Sequence, residues 1–255
     1  MRSATVWILV ILFMSLSAGT AIADDLAKVK SSGEIKMAMS GQYPPFNFVD
    51  DKNQLTGFDV EIGQAVAKRI GIKGVPMSTA WDGIIAGLLA NKYELICGSM
   101  AITEERLKSI DFSDPYYRSG AQLFVKQGSA VKSVADLTGK KVGVTLGTTY
   151  EKWVRENISG ADVRTYKGVP DMILEVNYGR IDGFITDKIV GALAIKQKGT
   201  PIALAGDLLY EEKMGIALRQ NNPELKAAIN DALAAMKADG TYKEISMKWL
   251  GIDVR

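Results

Sequence analysis

Cys97-Gly-Ser-Met-Ala-Ile-Thr-Glu-Glu-Arg106, running on to Phe112-Ser-Asp-Pro-Tyr116, is the stretch from which the organisation of this 255-residue chain is read. The apolar run Tyr93 to Cys97 has the length of a strand and stops at Gly98. Thr103 then places a hydroxyl where a helix start needs one. The capping pattern carries one anomaly: the third residue after Thr103 is Arg106, where Glu or Gln completes a capping box. A cation in the first turn opposes the helix dipole, at a typical cost of about 0.3–1 kcal/mol. Something anionic therefore offsets it, either a salt bridge to Glu104, Glu105 or a distant acid, or a bound anion.

Upstream, Glu34-Ile-Lys-Met-Ala-Met-Ser40 alternates as a strand does and leads into Tyr43-Pro-Pro-Phe46, an extended turn. Phe48-Val49 and the turn Asp50 to Asn53 predict a short hairpin, and Gly57-Phe-Asp59 opens a helix that Gly71 ends. Val75 to Thr79 is the next strand, and Asp82 is read as the N-cap of a helix through Leu89. Strands alternating with helices predict a mostly parallel α/β sheet.

From Ser119 the pattern restarts. Strands are expected at 122–125, 141–144, 161–166, 182–185, 201–204 and 214–218, with helices between all but the last two, and two more helices, 223–238 and 242–250, at the end. Two series of similar length, the second inserted before the last strand, predict two lobes crossed by two connections near Arg118 to Ala121 and Leu209 to Lys213. The expected division is 24–119 and 213–255 in lobe 1 and 120–212 in lobe 2. A cleft between such lobes, at the carboxyl ends of strands, collects ligands and hinges.

Composition narrows the function. Arg2, the apolar segment Val6 to Leu16 and the small residues ending at Ala21-Ile-Ala23 read as a secretory signal peptide, residues 1–23, which predicts a periplasmic protein. Lys plus Arg number 31 against 29 Asp plus Glu, interspersed, so nothing points to nucleic acid. There is no histidine, which excludes His-based triads and the usual His-type zinc sites, and no cofactor or metal is expected. The single cysteine, Cys97, cannot form an internal disulfide and reads as a buried small hydrophobe.

Several strand ends deliver polar or aromatic residues. Tyr43 and Trp81 either face a cleft or are core aromatics. Leu146-Gly-Thr-Thr149, with the hydroxyls of Thr148 and Thr149, offers helix-start amides that suit an anion or simply cap the helix. Asp187, after Phe184-Ile-Thr186, is either a cap or an acceptor for a cation. As a set, an arginine with amides, an acid and aromatics are what a free amino acid zwitterion needs.

In order along the chain, Tyr43-Pro-Pro-Phe46, Gly57-Phe-Asp59, Ala101-Ile-Thr-Glu-Glu-Arg106, Asp111-Phe-Ser-Asp-Pro-Tyr116, Gly147-Thr-Thr149 and Thr186-Asp187 resemble the periplasmic polar-amino-acid-binding proteins of ABC importers, solute-binding protein family 3. The resemblance implies the two-lobed type II periplasmic-binding fold, a monomer that closes on an amino acid and delivers it to a membrane permease with its ATPase. It implies that Arg106 pairs with the ligand α-carboxylate, helped by the backbone N–H groups of Ala101 and Thr149. Asp187 would hold the α-ammonium with the Ser99 carbonyl, and Tyr43 and Trp81 would sandwich the side chain. Three positions depart from the pattern. Ala101 lacks a hydroxyl that many relatives offer the ammonium, Ser40 stands where binders of basic amino acids often place Asp, and Thr145 stands where glutamine binders have lysine. These departures favour a neutral ligand side chain. The rival on this fold is a cyclohexadienyl dehydratase, acting on prephenate or arogenate; it needs a glutamate general acid where this chain has Val190, and a valine transfers no proton.

Overall fold

The computed structural model describes residues 24–255 apart from Gly199, and it leaves the side chains of Gln197 and Lys198 undescribed. The expected signal peptide, 1–23, lies outside the described residues. Helix α1 (Asp25–Ser32) precedes strand β1 (Glu34–Met39), the three short strands β2 (Gln42–Tyr43), β3 (Asn47–Val49) and β4 (Leu55–Thr56), and helix α2 (Phe58–Ile70). Strand β5 (Lys73–Ser78), helix α3 (Ile84–Leu89), strand β6 (Leu95–Ala101), the single turn α4 (Glu104–Leu107) and β7 (Ile110–Phe112) complete the first series. The second comprises β8 (Tyr117–Lys126), β9 (Lys141–Thr145), α5 (Thr149–Asn157), β10 (Asp162–Tyr166), α6 (Val169–Asn177), β11 (Gly183–Asp187) and α7 (Lys188–Lys198). Strand β12 (Ile202–Arg219) and helices α8 (Pro223–Ala238) and α9 (Thr241–Leu250) finish the chain.

The large sheet has the order β10-β9-β11-β8-β12-β6-β1-β5, with β7 on β12. Its centre is the antiparallel pair β8 and β12, which carries the chain from one series to the other. Lys126 to Leu123 face Ile202 to Ala205, and after a register shift Ala121 to Tyr117 face Tyr210 to Met214. The two predicted strands at 201–204 and 214–218 are thus ends of one 18-residue strand. The polar run between them obscured its continuity, because that run is where the strand crosses between lobes.

Three expectations are corrected here. Helix α1 was not anticipated: only Val29 of its residues is buried, so it carries no apolar stripe, and it forms on its caps, the Asp24 side chain and the left-handed Gly33. Asp82 is not an N-cap. It lies inside a 3-10 turn, Trp81–Gly83, and α3 starts from Gly83 without a side-chain cap. The dipole argument at Arg106 also fails, because α4 has four residues and too few aligned peptides to make a macrodipole. Thr103 does cap it, accepting from the Arg106 N–H at 3.2 Å.

Burial positions the site. Gly57 has φ +125°, and a Cβ there would stand 2.4 Å from the Phe46 carbonyl oxygen, so only glycine lets the two segments meet. The contact brings the Asp59 N–H to the Phe46 carbonyl at 2.7 Å and starts α2 under the cleft. Phe46, Phe58, Tyr116, Tyr117 and Tyr242, all fully buried, pack edge-to-face and stacked at 5.0–6.1 Å between ring centroids, fixing α2 and α9 against the start of β8. Cys97 is buried and its thiol donates to the Asp59 carbonyl at 3.3 Å.

Candidate functional site

The lobes meet around one cavity. From the first come Tyr43, Trp81, Ser99, Ala101 and Arg106; from the second come Thr148 and Thr149. These are seven of the eight residues singled out from the sequence. The lobes also touch beside the cavity: Lys152 on α5 pairs with Glu105 on α4 at 2.6 Å, and a Cβ at Gly168 would stand 2.5 Å from the Gln42 carbonyl oxygen.

Arg106 reaches the cavity from α4. Its Nη1 donates to the Ala101 carbonyl at 2.8 Å and its guanidinium carbon lies 6.0 Å from the centroid of the Trp81 ring. Among the described residues it makes no ion pair: Glu105, a neutraliser considered from the sequence, is taken by Lys152. Burial lowers its pKa, and the Glu212 carboxylate is the largest influence in the other direction.

Opposite, the turn before α5 uses most of its donors on itself. Thr148 Oγ1 caps the Glu151 N–H at 3.3 Å, Glu151 accepts from the Gly147 N–H at 2.7 Å, and the Thr148 N–H reaches the Thr145 carbonyl at 3.3 Å. The Thr149 N–H, at the first helical position, has no intramolecular acceptor of this kind. The capping reading of this turn is met by Thr148, whose side chain accepts from the Glu151 N–H.

Ser99 sits in β6 with φ +61°, a left-handed conformation that a serine rarely adopts inside a strand. A buried network holds it there. Its N–H donates to the Tyr116 hydroxyl at 2.8 Å and its Oγ to Asp59 Oδ2 at 2.8 Å. Tyr116 donates to Asp59 Oδ1 at 2.7 Å, and Asn47 Nδ2 to Oδ2 at 2.7 Å. Asn47 Oδ1 in turn accepts from Ser40 Oγ and the Gly41 N–H, both at 2.9 Å. Asp59 thus ties Ser40 and Ser99, which both line the cavity, to one buried carboxylate. Burial raises its pKa to about 6, restrained by the hydrogen bonds from Tyr116, Asn47 and Ser99. The sequence reading placed Asp59 only in a motif and gave it no role.

Asp187 is the exception among the expected residues. It is fully buried and does not line the cavity. Its Oδ1 accepts from Ser119 Oγ at 2.8 Å and from the Ile189 N–H at 2.7 Å, so it caps α7. Its Oδ2 is buried without a partner. After burial, its charge is the largest influence raising the Tyr43 phenol, and it also raises that of Tyr150. Its own pKa rises to about 7, through burial first, with Glu212 adding and the three hydrogen-bond donors subtracting.

Gln42, Tyr150, Lys167, Gly168 and Glu212 line the cavity without having been singled out. Glu212 was the one with a legible signal, an acid inside a segment read as a crossing between lobes. Its Oε2 is buried without a partner. Burial raises its pKa, with the Thr149 and Tyr150 hydroxyls and Arg106 pulling it back. Val190, the position decisive for dehydratase chemistry, is 1% exposed and packs in the main core. Among the described residues no cluster of His, Cys, Asp and Glu is arranged to hold a metal ion, and no helix is long and apolar enough to cross a membrane.

Residues 35–252 match the family of bacterial extracellular solute-binding proteins, family 3. The L-cystine-binding protein TcyJ of Escherichia coli K12 is 40% identical over 251 residues, covering 96% of this chain and 94% of the relative. An ancestral arginine-binding protein bound to arginine superposes with TM-score 0.81 at 39% identity, covering 85% of this chain and 98% of that one. An ancestral amino acid-binding protein described as a precursor of cyclohexadienyl dehydratase superposes with TM-score 0.82 at 37% identity, covering 88% and 99%. The chain belongs to solute-binding protein family 3 and has the two-lobed type II periplasmic-binding fold; it is an amino-acid-binding protein of an ABC transporter, and not an enzyme.

Proposed function

We propose that this protein captures a free amino acid in the cavity between lobes 24–119 with 213–255 and 120–212, and hands it as a monomer to the membrane permease and ATPase of an importer. Residues 1–23 direct it to the periplasm and are removed. Arg106 and the Thr149 amide receive the α-carboxylate and the Ser99 carbonyl the α-ammonium, with the buried Asp187 acting on the ammonium through its charge rather than by lining the cavity, and Tyr43 and Trp81 flank the side chain. The observation that carries this reading is Arg106, a guanidinium at the cavity that donates to the Ala101 carbonyl beside the Trp81 ring and, among the described residues, makes no ion pair. A buried unpaired cation is costly, and a carboxylate with parallel acceptor oxygens offsets that cost.

The ligand best supported is cystine. Away from Arg106, the cavity is bordered by Ser40, Gln42 and Lys167, which include a cation and no acid. That end suits a second zwitterionic head and disfavours a guanidinium. The cystine-binding relative is 40% identical across nearly the whole chain. Arginine is the second reading, favoured by the likeness to an arginine-bound structure. Protein denatured after purification should release the retained molecule for mass spectrometry. After refolding, calorimetry should give tighter binding of L-cystine than of L-arginine. Tighter arginine binding would overturn the choice of ligand, and binding of no amino acid would overturn the reading.

A further inference from the structure

Glu212 has no role in the reading above, yet it is the acid that lines the cavity. Strand pairing explains its position. Glu212 on β12 is registered opposite Ser119 on β8, and Asp187 on β11 opposite Ala121, two residues further along β8. Directly paired residues, and residues two apart on one strand, share a face of the sheet. Ser119, Glu212 and Asp187 therefore project from the same face at the crossing between lobes, and Ser119 Oγ donates to Asp187 Oδ1 at 2.8 Å. Each of the two carboxylates is left with one buried oxygen that has no partner, Asp187 Oδ2 and Glu212 Oε2. Orphaned buried carboxylate oxygens are uncommon, because each forgoes a charge-assisted hydrogen bond.

The same place is short of an acceptor. Ala101 has no hydroxyl, and its registered partner across β6 and β12 is Met214, two residues beyond Glu212. Glu212 and Ala101 line one cavity with Arg106. We propose that Glu212 is a binding residue for the ligand α-ammonium, supplying from the crossing strand the acceptor that position 101 lacks. With Asp187 behind and the Ser99 carbonyl beside it, the ammonium receives a complete set of acceptors. The site then selects for a free, charged α-amino group and rejects carboxylates without one. This inference rests on the proposed amino acid site and adds the residue that reads the ammonium.

A two-by-two calorimetric comparison tests it, using wild type and Glu212→Gln against L-cystine with dithiodipropionate and L-arginine with desamino-arginine. Dithiodipropionate and desamino-arginine lack the α-amino groups. The expected result is a loss of roughly 10- to 150-fold in affinity for the amino acids on substitution, and little change for the desamino compounds. Equal losses for both classes, or no loss, would overturn the role of Glu212 and leave the amino acid site standing. Failure of the wild type to bind any amino acid would overturn both. Thermal melts of the ligand-free proteins give a second readout. Replacing a half-buried carboxylate that keeps one orphaned oxygen with an amide should raise the melting temperature while binding weakens. A lower melting temperature with unchanged relative affinities would mark Glu212 as structural and overturn the proposal.

Discussion

At the Arg106 end of the cleft, one buried guanidinium donates to a carbonyl of the strand that precedes it, over an aromatic face. Around the strands that cross between the lobes, two carboxylates from different strands each keep a buried oxygen without a partner. The first is assembled within a short stretch, Ala101 to Arg106, with its geometry set by the cap at Thr103. The second draws on β11, β8, β12 and the left-handed Ser99 within β6, so its geometry depends on how those strands are registered. A local site tolerates movement of the lobes, whereas one spread over the crossing strands is sensitive to how they are set. Carboxylate capture should therefore be the robust half of recognition and ammonium capture the tunable half.

The strongest way to break this contrast is Arg106→Ala. It leaves the ligand carboxylate buried and unpaired, so affinity should fall roughly a hundred- to several-thousand-fold by calorimetry. Unchanged affinity would end the assignment of the carboxylate end. Next comes Gly168→Ala. The φ of Gly168 is −169°, so the added methyl causes no backbone strain and acts only across the cleft, on the Gln42 carbonyl oxygen 2.5 Å away. Affinity should fall about 5- to 150-fold with the melting temperature of the ligand-free protein unchanged, since the contact belongs to the closed cleft. A comparable fall in ligand-free stability would show that closure is not what the glycine serves. X-ray scattering of the wild type should show a smaller radius at saturating ligand, and the variant should show less of that change.

A third test uses pH to separate the two ends. Asp187 is held at about 7 in the folded protein against an ordinary 3.8. The folded state binds this proton more tightly than the unfolded chain, so the stability it contributes is complete at acid pH and is lost as pH rises through about 7. Asp59, raised to about 6, acts in the same direction. An ammonium ligand favours the ionised acid, so affinity should rise with pH by up to about tenfold per unit and level off above about 7. The ligand-free melting temperature should move the opposite way over the same range. A flat affinity profile would remove Asp187 from any influence on the ammonium end. The smallest expected effect is that of Lys152→Ala, which removes the exposed pair with Glu105 at the rim. It should weaken binding only slightly, and added salt should erase the difference.

Much of the fold was legible because its signals are local. Alternation in 34–39, the glycine at 57, the threonine caps at 103 and 148 and the proline at 223 each act within one turn or strand, and the elements they predict are present. The missed elements lacked such a signal. Helix α1 buries a single side chain, and β12 crosses from one lobe to the other through the polar residues that the crossing requires. For the site, Arg106, Thr148, Thr149, Tyr43 and Trp81 could be found because each follows a strand end or starts a helical turn. Gln42 and Lys167 could not, because nothing in their neighbouring residues distinguishes a cavity-facing side chain from a solvated one, and Glu212 carried only the weak signal of an acid inside the crossing segment.

What the sequence determined by itself was the alternation of strands and helices and the place of the cation at 106 just past a strand end. These follow from periodicity and caps within a few residues. Only the tertiary structure decided that Glu105 belongs to Lys152, that Asp187 caps α7 outside the cavity lining, and that Glu212 stands in the cavity. The physical reason is register: which carboxylate becomes desolvated and unpartnered depends on how β8, β11 and β12 align, and that alignment is fixed by packing across the whole sheet.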